Sequence, residues 1–126
     1  MLILSRNDVH IVEALRQANV LQNVASHLLD QSQGVILVTC PDCDHFHDIF
    51  SRQLEMQADQ CRDPRIHTFG WHAGALRLVQ DSPANKWPDE HLIFLEDIRD
   101  ARTMKGINTI ALYAHVPCGK ANDRQI

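Results

Sequence analysis

An α/β fold, with a mostly parallel sheet of about three or four strands flanked by helices, is what this sequence predicts. Three observations carry that expectation. Short apolar runs rich in β-branched residues, "VILVT" (35–39), "RIHTF" (65–69) and "INTIALYA" (107–114), alternate with stretches of three- and four-residue apolar spacing. The runs are continuous, not alternating, as strands buried on both faces tend to be. Potential ligand residues follow the first and last runs directly, where parallel sheets place their binding sites.

The elements follow in order. Ser5 and Asn7 offer N-cap oxygens, and Ile11, Leu15, Ala18, Leu21, Val24 and Leu28 recur at helical steps. The spacing predicts a helix from about Asp8 to about Gln31, with Gly34 as punctuation before the first strand. Phe46, Ile49, Phe50 and Leu54 predict a second helix, which dissolves into polar residues near Pro64. The second strand runs into "GWHAGA", and "QDSPANKWPDE" (80–90) reads as a loop. Pro88 suits the first turn of a third helix, with an apolar face of Leu92, Phe94, Leu95 and Ile98 and a stop at Gly106.

A chain of 126 residues is one domain. Residues 1–32 form an N-terminal helical segment and 33–126 the α/β core. With 44% hydrophobic and 22% charged residues, the composition is that of an ordered globular protein. A formal net charge of −4 argues against a nucleic-acid partner, which usually calls for a basic face. "MLILSRND" has too few apolar residues for a signal-peptide core or a membrane span. No membrane association and a cytoplasmic location are therefore expected, with Cys40, Cys43, Cys61 and Cys118 reduced.

"CPDC" (40–43) and "HVPC" (115–118) are pairs of soft ligands, each three positions apart, at the ends of two predicted strands. Thiolate and imidazole are preferred donors for zinc, and one turn can aim both members of such a pair at a single ion. A redox pair at Cys40 and Cys43 is the weaker alternative, since no helix begins at the first cysteine. Cys61 reads as a thiol without a nearby partner. Asp44, His45 and His47 read as a polar helix entry, and His10, His27, His67 and His91 as surface or satisfied core residues.

Residues 35–119 resemble the β-class carbonic anhydrases, whose marks are a CxD motif after the first parallel strand and an HxxCG motif after a later one. Here these are Cys40 and Asp42, then His115, Cys118 and Gly119, and "HAGA" (72–75) is similar to the family's Asn-Ala-Gly segment. The resemblance implies a catalytic Zn²⁺ held by Cys40, His115 and Cys118, and hydration of carbon dioxide to bicarbonate by zinc-bound hydroxide. It makes Asp42 the catalytic acceptor that orients the hydroxide, and places His72 and Gly74 at the pocket.

The family clamps this aspartate with an arginine two positions later, where this chain has Asp44. A second carboxylate repels the first and cannot replace a bidentate guanidinium. Two outcomes stay open: Asp42 swings onto the zinc as a fourth ligand, or Cys43 coordinates. Either gives a closed, non-catalytic zinc module whose role lies in protein association. Arg65 and Arg77 are the candidates to replace the clamp. The family also continues past the HxxCG motif with elements that cover the sheet, so a homo-oligomer, dimer or higher, is expected.

Overall fold

The computed structural model describes residues 5–23 and 25–114. It is an α/β structure with a three-stranded parallel sheet and helices before and between the strands. The elements are α1 (Arg6–Gln17), β1 (Val35–Thr39), α2 (Phe46–Gln57), β2 (Ile66–Gly70), α3 (His91–Lys105) and β3 (Ile110–Leu112), with 3₁₀ turns at Ser26–Leu28 and Gly74–Leu78. The strand order is β2-β1-β3. Val35 registers with Ile66 and Thr39 with Gly70 on one side, and Ile36 with Ile110 and Val38 with Leu112 on the other.

As the middle strand, β1 has neighbours on both edges and both faces, and none of its residues is accessible to solvent. Removing each of its aliphatic side chains from water is worth about 1.5–3 kcal/mol, so the run Val35–Val38 anchors the core. Side chains alternate along a strand, and Ile36 joins Ala101 of α3 and Ile107 beneath that helix, with Phe69 packed alongside. Phe69 stacks on Trp71, which meets Phe94 of α3 at 4.4 Å between ring centroids.

α1 begins at a capping box: the Ser5 hydroxyl accepts the Asp8 amide N–H, and the Asp8 carboxylate accepts the Ser5 N–H. These bonds also hold the Asp8 carboxyl below its usual range. The helix stops at Gln17, well short of the predicted Gln31. Asn19 adopts a left-handed conformation (φ 60°) and donates its amide to the Arg16 carbonyl, and the amides of Val20 and Leu21 fold back onto the Leu15 carbonyl. An asparagine can end a helix this way without a glycine, and spacing alone does not register it. No residue of α1 is buried.

Three other expectations shift. α3 starts at His91, three residues after Pro88, because Asp89 is left-handed (φ 61°) and the Glu90 carboxylate is turned back to the amides of Lys86 and Trp87. Its buried face is His91, Ile98 and Ala101 with Phe94 on Trp71, whereas Leu92 and Leu95 face solvent. The described part of the third strand spans only Ile110–Leu112 of the predicted 107–114. Gly106 closes α3 in the left-handed conformation, as expected.

Candidate metal centre

Parallel pairing brings the carboxyl ends of β1 and β3 side by side. Tyr113 donates its amide N–H to the Val38 carbonyl, and Trp71 donates to the Thr39 carbonyl, so the exits of all three strands are laced at one rim. Cys40 is the first residue past β1 and is buried there with Ala73 and Ala84. The segment 72–75 folds over this point. Gly74 lies so close that a Cβ on it would sit 2.7 Å from the Tyr113 carbonyl oxygen and 2.8 Å from the Cys40 nitrogen. Its φ is +54°, and Ala73 before it is also left-handed at +69°. Only glycine meets both demands at position 74.

The loop after Cys40 is organised by Asp42. Its Oδ1 accepts the Asp44 amide N–H at 2.9 Å, and its carbonyl accepts from His45 and Phe46 at 3.0 and 2.8 Å, which launches α2. This is the turn chemistry that aspartate performs without any metal. The same turn gathers the Asp42 and Asp44 carboxylates and the Cys43 thiol, whose ligand atoms lie within 4.8 Å of one another. Asp42 is half-buried and the other two are exposed, and the three together could hold a metal ion. Cys40 is not a member of that group. His47 pairs with the adjacent Asp48 at 3.3 Å on the exposed start of α2.

His115, Cys118 and Gly119 lie outside the described residues. The described chain reaches Ala114, directly past Tyr113, at the rim that holds Cys40. Tyr113 is itself half-buried, and burial raises its phenol above the usual range, against a smaller opposing effect of the Arg52 charge. Of the two expected pocket residues, Gly74 is buried against Cys40, and His72 is exposed, with its carbonyl accepting a long bond from Arg77.

Neither candidate arginine takes the place of a clamp on Asp42. Arg65 stands at the opposite, amino-terminal rim, since it precedes β2, and its guanidinium donates to the carbonyls of Gln33 and Lys105 at 2.8 and 3.0 Å. Arg77 is at the carboxyl rim but is engaged from several sides. It pairs with Glu90 at 2.8 Å, donates to Asn85 Oδ1 at 2.7 Å and lies over the Phe94 ring at 4.7 Å. Burial pushes the Glu90 carboxyl up, but the Lys86 and Trp87 amides and the Arg77 charge outweigh it, and the net shift is downward.

The sequence did not reveal this Arg77–Glu90 pair. Twelve residues, two of them prolines, separate the partners, and no local spacing links them. Two histidine and cysteine expectations also change. His91 is buried with no hydrogen-bond partner at Nδ1, so it is a core residue that is not satisfied at that atom. Cys61 does have partners: its thiol donates to the Gln31 carbonyl at 2.9 Å and approaches that of Ser32. No helix among the described residues is long and apolar enough to cross a membrane.

Comparison of the chain with family models, curated proteins and solved structures returns no match.

Proposed function

We propose that the chain is a zinc protein of the β-carbonic-anhydrase type, with Cys40, His115 and Cys118 as protein ligands and the reversible hydration of carbon dioxide to bicarbonate as its reaction. One observation supports this reading above the rest. The backbone at Cys40, the backbone at Tyr113 and the left-handed Gly74 meet in contact at the carboxyl rim of a parallel sheet, which is where such sheets bind ligands. The donors suit the metal: a buried thiol at a strand end, then an imidazole and a second thiol two and five residues past Tyr113 in sequence.

Bound zinc supplies Lewis acidity, which lowers the pKa of water at the metal to near neutrality. The chain's own residues do the rest. Asp42 is fixed by its turn to the Asp44 amide through Oδ1, and on this reading Oδ2 is the atom left at the rim to accept the hydrogen bond that orients the nucleophile. Gly74 lets the backbone close over the site, which excludes water on that side. Asp44 holds the position of the family's arginine and adds negative charge beside Asp42, where a guanidinium would anchor it.

A second reading is favoured by the grouping of Asp42, Cys43 and Asp44 in one turn. There the zinc is closed by a fourth side chain and holds strand ends together, with no turnover. Stopped-flow hydration of carbon dioxide on the zinc-loaded chain separates the two. The enzyme reading expects a protein-dependent rate that rises in Asp44→Arg. Full zinc occupancy with no rate, in both the parent and the variant, would establish the closed module instead.

A further inference from the structure

We propose that the cleft at the amino rim of the sheet binds a phosphate group, as inorganic phosphate or as a small phosphomonoester. The cleft offers about 310 Å³, at the lower end of the range for small-molecule sites, and is lined by Pro64, Arg65, Ile66, His67, Lys105 and Ile107. Pro64, Ile66 and Ile107 supply an apolar wall. Arg65, His67 and Lys105 supply nitrogen donors, and no carboxylate is among the lining residues. On a chain of formal net charge −4, this is a local excess of positive charge. β1 spans five residues, which sets the cleft about 16 Å from the rim that holds Cys40.

Arg65 is fixed along its length. Its amide N–H donates to Gln57 Oε1 at 2.7 Å, and its carbonyl accepts from the Val35 amide and from Gln57 Nε2, both at 3.0 Å. Its guanidinium donates through Nη1 to the Gln33 carbonyl at 2.8 Å and through Nη2 to that of Lys105 at 3.0 Å. A Cβ on Gly34 would lie 2.9 Å from the Arg65 Cβ and 3.1 Å from Ile107 Cδ1, so the bare backbone there lets these two lining residues close in. Two of the five guanidinium N–H groups are used in this way, and three have no partner among the described residues. A cation fixed before any ligand arrives loses little freedom on binding.

The charges of the cleft are also unneutralised. Arg52, Arg77 and Arg99 each meet a carboxylate, whereas Arg65 and Lys105 make no ion pair among the described residues. The bond from Arg65 to the Lys105 carbonyl brings the two cations to one wall, where like charges repel. An anion between them removes that repulsion and takes up the free N–H groups. Phosphate fits best, because near neutral pH it carries about −1.5 to −2 charge against two cationic side chains. Its oxygens also point in several directions, toward the guanidinium, the ammonium and the imidazole, while a carboxylate presents two oxygens in one plane. His67 is half-buried and held edge-on by Phe69 at 5.1 Å between ring centroids, so its ring lines the cleft from a fixed side.

The proposal does not depend on zinc, since phosphate held at a metal would register at the other rim. Amide NMR spectra of the full chain are titrated with inorganic phosphate, glycerol phosphate and succinate in about 0.15 M chloride, which screens non-specific attraction. Saturable shifts at Ile66, His67, Lys105 and Ile107 are expected with both phosphates, at a Kd of about 1 mM or tighter, and succinate should bind at least about 10-fold more weakly. Equal affinity for the two phosphates assigns the site to the bare group, and tighter binding of the ester adds the apolar wall; both support the proposal. Lys105→Gln, at an exposed position, should weaken phosphate at least about 5-fold, the worth of one charge at contact distance in water. The thermal transition of the ligand-free chain should not move. No saturation by about 20 mM phosphate, an affinity that Lys105→Gln leaves unchanged, shifts centred on Cys40 and Gly74, or succinate bound as tightly as phosphate would each overturn the proposal.

Discussion

The two rims of the sheet are held by different means. At the amino rim, flexible polar side chains act as brackets. Gln57 accepts the Arg65 amide N–H through Oε1 and donates to the Arg65 carbonyl through Nε2, as a neighbouring strand would. Gln60 does the same for the Leu29–Gln31 segment. A cleft of about 310 Å³ stays open beside Arg65, His67 and Lys105. At the carboxyl rim, backbone meets backbone at Gly74, and a buried ion pair fixes the flanking loop. The amino rim has a close approach of its own, since a Cβ on Gly34 (φ +108°) would sit 2.8 Å from the Arg65 carbonyl oxygen. What the end that carries Cys40 adds is the buried Arg77–Glu90 pair.

That contrast ranks the effects of substitution. Arg77→Ala should cost the most, about 3–5 kcal/mol, because it strands a buried Glu90 carboxylate; chemical denaturation reads it directly, and a loss under 1 kcal/mol would remove the pair from the account. Gly74→Ala combines a clash with a strained φ, and about 2–4 kcal/mol is expected, with reduced protection of the Tyr113 amide from hydrogen exchange. Gln57→Ala, at the amino rim, should cost about 1–3 kcal/mol for the unpaired Arg65 groups. If its cost exceeded that of Gly74→Ala, the two rims would have to be exchanged in this argument.

A pH titration sharpens the same comparison. The Glu90 carboxyl is lowered in the folded chain from an ordinary value of 4.5. Its contribution is therefore present above that value and is lost as pH falls through the lower, folded one. The parent should lose stability below about pH 4.5 more steeply than Glu90→Gln does, as followed by urea midpoints across the acid range. Parallel curves would mean that the pair at the carboxyl rim is not stabilised by ionisation.

How much of this was legible depended on whether the determining contacts were local. β1 could be read from its run of apolar residues, and the end of α3 from Gly106, because each signal lies within its own element. The rotation of α3 could not. Leu92 and Leu95 fit an apolar face as well as His91 and Ala101 do, and the choice is made by Trp71 on Phe94 and by Arg77 on Glu90, both long-range. The stop of α1 at Asn19 is local, but it depends on a left-handed asparagine inside a continuing apolar pattern. At the site, the burial of Cys40 and the turn made by Asp42 follow from motif and strand-end position. The position of Arg65 at the far rim and the engagement of Arg77 depend on where the chain returns, which spacing does not encode.

The central proposal is that Cys40 belongs to a zinc site at the carboxyl rim. Metal analysis of the freshly purified, chelator-free chain beside Cys40→Ser tests it most directly. The account predicts one zinc per chain in the parent and loss of that zinc in the variant, with the Asp42–Cys43–Asp44 turn unable to retain it alone. A parent without zinc, or a variant that keeps its full complement, would contradict it.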